Sequence, residues 1–173
     1  ELAAAGISAD DIPVVAFSVG EEELSGLDTS NLVGHLAAWN YFQSADVEAN
    51  SEWIAAFKDR MGDERVTNDP MEAHYIGFNM WVNAVEVAGT TDVDAVRDEM
   101  YGQTSPNLTG GMAEMLPNHH LSKPVLIGEI QADGQFDIIS QTSEVPGDAW
   151  TDFLPESAVL VSDWPGLGCG MYN

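Results

Sequence analysis

Val14-Val15-Ala16-Phe17-Ser18-Val19-Gly20-Glu21-Glu22-Glu23-Leu24 decides how the rest of this chain is read. Val14 to Phe17 form an apolar run after Pro13, which predicts a buried strand of a parallel sheet. Ser18 offers an N-cap hydroxyl and Gly20 tolerates any backbone angle, so a turn into a helix follows. Glu21, Glu22 and Glu23 fill the first helical turn, where the macrodipole favours carboxylates. In open α/β sheets, ligands sit just beyond the carboxyl ends of strands, at turns of this kind. Free amides at a helix start can hold an anion, but three glutamates already occupy this one. A neutral ligand rich in N–H donors suits it better. The same residues would also serve as an ordinary strand-to-helix turn.

Upstream, Glu1-Leu2-Ala3-Ala4-Ala5-Gly6 reads as the last turns of a helix stopped by Gly6. It has no N-cap of its own, so further sequence upstream is expected, and the 173 residues alone are not expected to fold cooperatively. Downstream, Gly34 to Phe42 predicts a second strand. Ser44-Ala45-Asp46 starts a helix whose face is Trp53, Ile54, Phe57 and Met61, ended by Gly62. Asn68 or Asp69 caps the next helix, with Pro70 in its first turn and Glu72 near the third position. Its apolar face is Met71, Tyr75, Phe78, Trp81, Val82 and Val85, a stripe that reads as core, and Gly89 closes it. Asp92 to Met100 is a shorter helix ending at Gly102. Gln103 to Pro117 reads as loop, with a short strand at Met112 to Leu116. Val125 to Ile130 and Gln135 to Ile139 flank Asp133-Gly134, a hairpin signal. From Pro146 on, aromatics and prolines alternate without a period, as in a tail draped over other surfaces.

Five basic residues face 29 acidic ones, for a net charge of −24. Such a chain repels phosphate backbones and anionic lipid, which excludes nucleic acid as a partner. Disorder does not follow, because 45% of residues are hydrophobic and five are Trp. An acidic excess of this kind suits high salt, where repulsion is screened, or an acidic extracytoplasmic setting. Cys169 is the single cysteine, so no internal disulfide is available.

No phosphate loop, dinucleotide fingerprint or nucleophile elbow is found. Gly166-Leu167-Gly168-Cys169-Gly170 lacks a flanking strand and helix, and nothing places a histidine beside Cys169. His119-His120 on an extended segment would point to opposite faces, a poor metal pair. Asn107-Leu108-Thr109 fits a glycosylation sequon. No catalytic set, no metal site and no cofactor are expected.

Phe17 to Leu24, then Gly34 to Ser44, resembles the substrate-binding protein of urea and short-chain amide ABC transporters. So do Arg65-Val66-Thr67-Asn68-Asp69-Pro70-Met71-Glu72-Ala73, Asn118 to Leu121, Lys123-Pro124-Val125, Ile127-Gly128-Glu129 and Asp133 to Phe136. The pieces occur in order, from about Glu1 to Phe153. The resemblance implies an α/β, type I periplasmic-binding fold: two Rossmann-like lobes joined by a hinge, closing on ligand. On that template this chain is only the C-terminal part, about two-fifths, and the missing N-terminal part is a partner. Residues 1–38 would belong to the second lobe, 39–122 to a crossover and helices of the first lobe, and 123–173 to the return hairpin and tail.

The resemblance further implies a site with two walls, Ser18, Val19, Gly20 and Glu21 on one and Asp69, Met71 and Glu72 on the other. Ser18 and the Gly20 backbone would hydrogen-bond the ligand, Glu21 or Glu72 would accept its N–H groups, and Met71 would shape the pocket. The bland alternative is that these carboxylates only cap and polarise their helices. The implied function is capture of urea or a short-chain amide outside the cytoplasm and delivery to ABC permease subunits. The implied location is periplasmic or cell-surface, lipid-anchored through upstream sequence. The alternatives are an amide-sensing regulator on the same fold and an amidase-type enzyme.

Overall fold

A computed structural model describes residues 3–147. A single 3-10 turn at Ala3–Ala5 leads through Gly6, whose φ of 73° is left-handed, into a loop. Strand β1 is Val15–Ala16, helix α1 is Glu21–Leu24 and strand β2 is Leu36–Trp39. Three helices follow: α2 (Glu48–Met61), α3 (Asp69–Ala88) and α4 (Val93–Met100). Strands β3 (Thr104–Pro106), β4 (Met112–Met115), β5 (Leu121–Ile130) and β6 (Phe136–Val145) complete the described residues.

The six strands form one mixed sheet in the order β1-β2-β5-β4-β3, with β6 on β5. The β1–β2 pair is parallel, as expected, with Val15 opposite Leu36. All other pairs are antiparallel. β5 is the spine. Its first residues pair with β4 (Glu114 opposite Ser122), and residues 126–129 pair with β2 (Ala37 opposite Gly128, Trp39 opposite Leu126).

Two separate cores sit along that spine. Leu24, Ala37, Phe42, Leu126, Ile130 and Phe136 form one. Ile76, Met80, Ala113 and Met115 form the other, edged by Met100 and Leu121. The first is tight enough to dictate a glycine: a Cβ on Gly128 would sit 2.8 Å from the Phe42 ring and 3.0 Å from Phe136 Cβ. Those two rings lie 4.4 Å apart, centroid to centroid.

Several expectations need correction. The strand at Val14 to Phe17 was expected to be buried, but Val14, Val15 and Phe17 are exposed, Phe17 at 73%. β1 is two residues long and has a strand neighbour on one side only; Ala16 packs against the first core while Val15 stays exposed. Helix α2 starts at Glu48, after Val47, rather than at Ser44 to Asp46. The intervening residues turn instead, with Ala45 N–H bonded to the Phe42 carbonyl. Met61, expected on the buried face, is half exposed.

The face of α3 is the largest correction. Glu72, Ile76, Met80 and Ala84 are its buried stripe, whereas Tyr75, Phe78 and Trp81 are exposed at 40–55%. Periodicity found a real apolar stripe and assigned it to the wrong neighbour: β3 and β4 pack on the adjacent stripe. Trp53 stacks toward Tyr75 at 5.4 Å, so α2 covers only the edge of the aromatic face. Asn68 is the N-cap of α3, its side chain accepting from Met71 N–H at 3.2 Å, and Gly89 closes the helix in the left-handed region.

β3 falls in a segment read as loop, and the hairpin strands run longer than their apolar patches. Asn107 and Thr109 are buried, at 2% and 5% exposure, so the sequon is not presented to solvent. His119 is not extended: its φ is 64°, and its ring lies 3.0 Å from the Tyr101 hydroxyl. The tail after Gly147 and Cys169 lie outside the described residues.

Candidate functional site

The chain leaves the first core for the second at residues 40–47, between β2 and α2, and returns through the start of β5 at Ser122 to Val125. Both passages are held by carboxylates from helix starts. Glu21, the first residue of α1, accepts from Gln43 N–H at 2.6 Å through Oε1. Asp69, the first residue of α3, accepts from Asn40 N–H at 2.8 Å. Glu72, one turn into α3, pairs with Lys123 of β5 in a buried ion pair.

The two helix starts lie side by side. A Cβ built on Gly20 would be 3.7 Å from Asn68 Cβ and 3.8 Å from the Trp39 indole nitrogen. That nitrogen donates to the Val19 carbonyl at 2.8 Å and fixes the turn before α1. Gly20, not Ser18, is the N-cap of α1; its N–H donates to the Glu23 carboxylate at 2.8 Å, so a glutamate reaching back does the capping. Ser18 is exposed beside this turn, and Met71 is half-buried among Trp53, Phe57, His74, Tyr75 and Phe78 at an open apolar groove of about 640 Å³.

Burial decides the electrostatics. Glu21 is 1% exposed, and desolvation, outweighing the Gln43 hydrogen bond, pushes its carboxyl up to about 7. Asp69 and Glu72 are also raised by burial, with Lys123 opposing the shift in both. Glu21 Oε2 and Glu72 Oε1 are buried without a hydrogen-bond partner among the described residues. The Leu108 amide lies near enough to Glu72 to lower its carboxyl slightly. Glu21, Asp69 and Glu72 thus each spend one oxygen on the protein itself, Gly20 lies against Asn68 at the head of α3, Ser18 is exposed, and Met71 faces a separate aromatic groove.

Sequence reasoning missed the polar groups that join them. The Tyr41 hydroxyl is 2.9 Å from Asn50 Oδ1 and 2.8 Å from Thr67 Oγ1, and all three residues are fully buried. Asn50 Nδ2 donates to the Gln43 and Ala45 carbonyls, at 3.0 and 2.8 Å. Gln43 Oε1 accepts from Thr67 N–H at 2.7 Å. Lys123 is one of only five basic residues, and a lone lysine before Pro124 in an acidic chain was the available signal. No group of three or more His, Cys, Asp or Glu side chains able to hold a metal occurs among the described residues. Among them too, no helix is long and apolar enough to cross a membrane.

The chain belongs to the family described as periplasmic binding protein domain, which matches residues 1–156. Its fold is the α/β, type I periplasmic-binding fold, of which the chain covers a part. An amino acid ABC transporter substrate-binding protein from Pseudomonas fluorescens Pf-5 superposes with a TM-score of 0.68 at 21% identity, over 84% of this chain and 40% of that one. A solute-binding protein from Rhodopseudomonas palustris BisB5, solved with 3,4-dihydroxybenzoic acid, gives 0.66 at 19%, over 84% and 39%. At these identities the likeness is one of fold. Among curated proteins, a limonene hydroxylase from Geobacillus stearothermophilus is 35% identical over 113 residues, which are 65% of this chain and 20% of that protein. The chain thus spans about two-fifths of the solved relatives and a fifth of the curated one.

Proposed function

We propose that this chain forms the hinge side of an extracytoplasmic solute-binding protein that captures urea or a short-chain amide for an ABC transporter. In this reading residues 1–38 and 123–173 belong to one lobe and 39–122 to the crossover and the other lobe. The observation that carries it is the acceptor surplus at the paired helix starts. Two buried carboxylates each retain an oxygen without a partner, on elements that meet at Gly20 and Asn68. Urea offers one carbonyl acceptor and four N–H donors, a match for such a site. Ser18 and the Gly20 backbone would take its carbonyl side, Val19 and Met71 would shape the walls, and Glu21, Asp69 or Glu72 would accept its N–H groups.

An organic carboxylate, such as the 3,4-dihydroxybenzoic acid bound to the Rhodopseudomonas palustris BisB5 protein, fits this surround less well. Lys123 is already committed to Glu72, and the chain carries a net charge of −24. Four heavy atoms at a ceiling near ~1.5 kcal/mol each give about 6 kcal/mol, near tens of micromolar, so all of urea's hydrogen bonds must be made. Lobe closure would supply that by expelling water. A sensor on the same fold would bind the same ligand and differ only in its protein partner. The hydroxylase likeness spans too little of that enzyme to bring its reaction to this chain.

Calorimetric titration of the intact protein with urea, acetamide, L-leucine and benzoate tests the reading. Heat from urea or acetamide alone is the expected result. Binding of leucine or benzoate without the amides overturns the ligand and keeps the binding protein. Ammonia release from acetamide would overturn both.

A further inference from the structure

We propose that Gln43 is the positioning residue that couples the two walls of this site, linking the head of α1 to the head of α3 through the crossover. The inference rests on the solute-binding reading for its purpose, and on hydrogen bonds alone for its geometry.

Every polar group of Gln43 has a partner. Its backbone N–H donates to Glu21 Oε1 at 2.6 Å. Its side-chain oxygen accepts from Thr67 N–H at 2.7 Å and Thr67 Oγ1 at 3.2 Å. Its side-chain nitrogen donates to Gln135 Oε1 in the β5–β6 turn at 3.2 Å. Its carbonyl accepts from Asn50 of α2 at 3.0 Å. Thr67 immediately precedes the N-cap of α3, and Glu21 is the first residue of α1. One residue thus holds the start of each wall, the first turn of α2 and the hairpin turn.

The surroundings make the link stiff. Thr67 is fully buried and its hydroxyl also meets Tyr41, itself fixed by Asn50. A buried donor or acceptor stripped of its partner is costly, so none of these groups can let go without another taking its place. A displacement of α1 on ligand entry would move Glu21, and with it the Gln43 backbone. The amide at the other end of the same residue would then move Thr67 and the first turn of α3. Coupling of this sort requires a contiguous network with a demonstrable energetic link, and the network is continuous here. A merely structural glutamine would stabilise both ends without making one respond to the other.

Amide hydrogen exchange in the intact protein, without ligand, separates these cases. Glu21→Leu, which removes the acceptor of the Gln43 N–H, should speed exchange at the amides of residues 67–69 and 71, on the far side of the relay, by about tenfold, the equivalent of one ordinary hydrogen bond. Gln43→Met keeps the backbone N–H and the side-chain length but removes the amide. In that background the same Glu21→Leu change should leave those amides where Gln43→Met alone put them. Additive effects would overturn the coupling, as would unchanged exchange there in the Glu21→Leu single variant, a result that does not depend on Gln43→Met folding. Because no ligand enters the measurement, failure of the amide reading and failure of the relay are told apart. With urea as the probe, Gln43→Met should then weaken binding about tenfold although the Gln43 side chain touches none of the proposed ligand-binding residues.

Discussion

The starts of α1 and α3 lie beside each other, carry acidic first turns, and tie themselves to the chain crossing between the cores. They differ in how they meet the cost of burying charge. Glu72 at α3 has Lys123 against it, whereas Glu21 at α1 has only a backbone N–H. The consequence is chemical. With a cation at hand, a carboxylate can stay ionised in a dry place; without one it holds its proton toward neutrality. Glu21 therefore sits near pH 7, and Asp69 and Glu23 close by add to the push already made by burial. One helix start is an ion-pair anchor, and the other is a titrating one.

Breaking the ion pair should have the largest effect. Lys123→Met leaves Glu72 buried at 0% exposure with its countercharge gone. A loss of about 3–5 kcal/mol is expected in guanidinium unfolding of the intact protein. Guanidinium is the denaturant to use, since urea is the proposed ligand. Adding Glu72→Leu should return most of that loss, because the orphaned charge goes too. If Lys123→Met costs under ~1 kcal/mol, Glu72 is not the buried ionised partner that the geometry describes.

The titrating start comes next. The Glu21 carboxyl is raised from 4.5 to about 7 by folding, so the folded state holds the proton more tightly than the unfolded chain. Its contribution is fully present below pH 4.5 and is lost as pH rises through about 7. Over that window the shift corresponds to about 3 kcal/mol. Glu21→Gln is neutral throughout and can still accept from Gln43. Relative to the parent it should gain up to about that amount between pH 4.5 and 8, read from paired unfolding curves. A difference that does not change with pH would show that Glu21 is ionised and screened.

The third effect is smaller and compares the two caps. Asn68 caps α3 with its own side chain, so Asn68→Ala should cost about 1 kcal/mol. At α1 the cap residue is glycine, and Gly20→Ala should leave the cap hydrogen bond in place, because the acceptor belongs to Glu23 and the Gly20 φ of −124° suits any residue. A larger loss from Gly20→Ala than from Asn68→Ala would point to crowding against Asn68 and Trp39, which a Cβ would approach at 3.7 and 3.8 Å.

Local signals in the sequence were sufficient for what depends on local physics. Asn68 before Asp69-Pro70, Gly89 at the far end and the Asp133-Gly134 turn all act within a few residues, and each stands where pattern reading put it. The parallel β1–β2 pair also agrees with the reading of Val14 to Phe17 as a strand of a parallel sheet. What sequence could not show is which of two apolar stripes meets a neighbour. Tyr75, Phe78 and Trp81 are larger and more apolar than Glu72, Ile76, Met80 and Ala84, yet the second set is buried, because β3 and β4 pack there. The Gln43–Thr67–Tyr41–Asn50 network was equally out of reach. Its members are ordinary polar residues, up to 26 positions apart in the bonded pairs, and only the crossing of the chain brings them together.

The smallest effect distinguishes the neighbours that set the Glu21 carboxyl. Asp69 and Glu23 both push it upward through charge, Asp69 the more strongly of the two. Glu23→Gln keeps an acceptor for Gly20 N–H, as a capping box allows, so helix α1 should form as before. What changes is the charge beside Glu21. The midpoint of its titration, followed through the pH dependence of stability, should fall below 7 by a fraction of a unit, or a few tenths of a kcal/mol. Asp69→Asn should move the midpoint further in the same direction while retaining an oxygen to accept from Asn40 N–H. Both shifts should shrink in molar salt only where solvent reaches the pair, which for Glu23, exposed at the helix surface, is more than for the half-buried Asp69. Equal shifts that vanish together in salt would mean that the field at Glu21 comes from the acidic surface as a whole. Unequal shifts, with that of Asp69 surviving, would place the cause in the contact between the two helix starts.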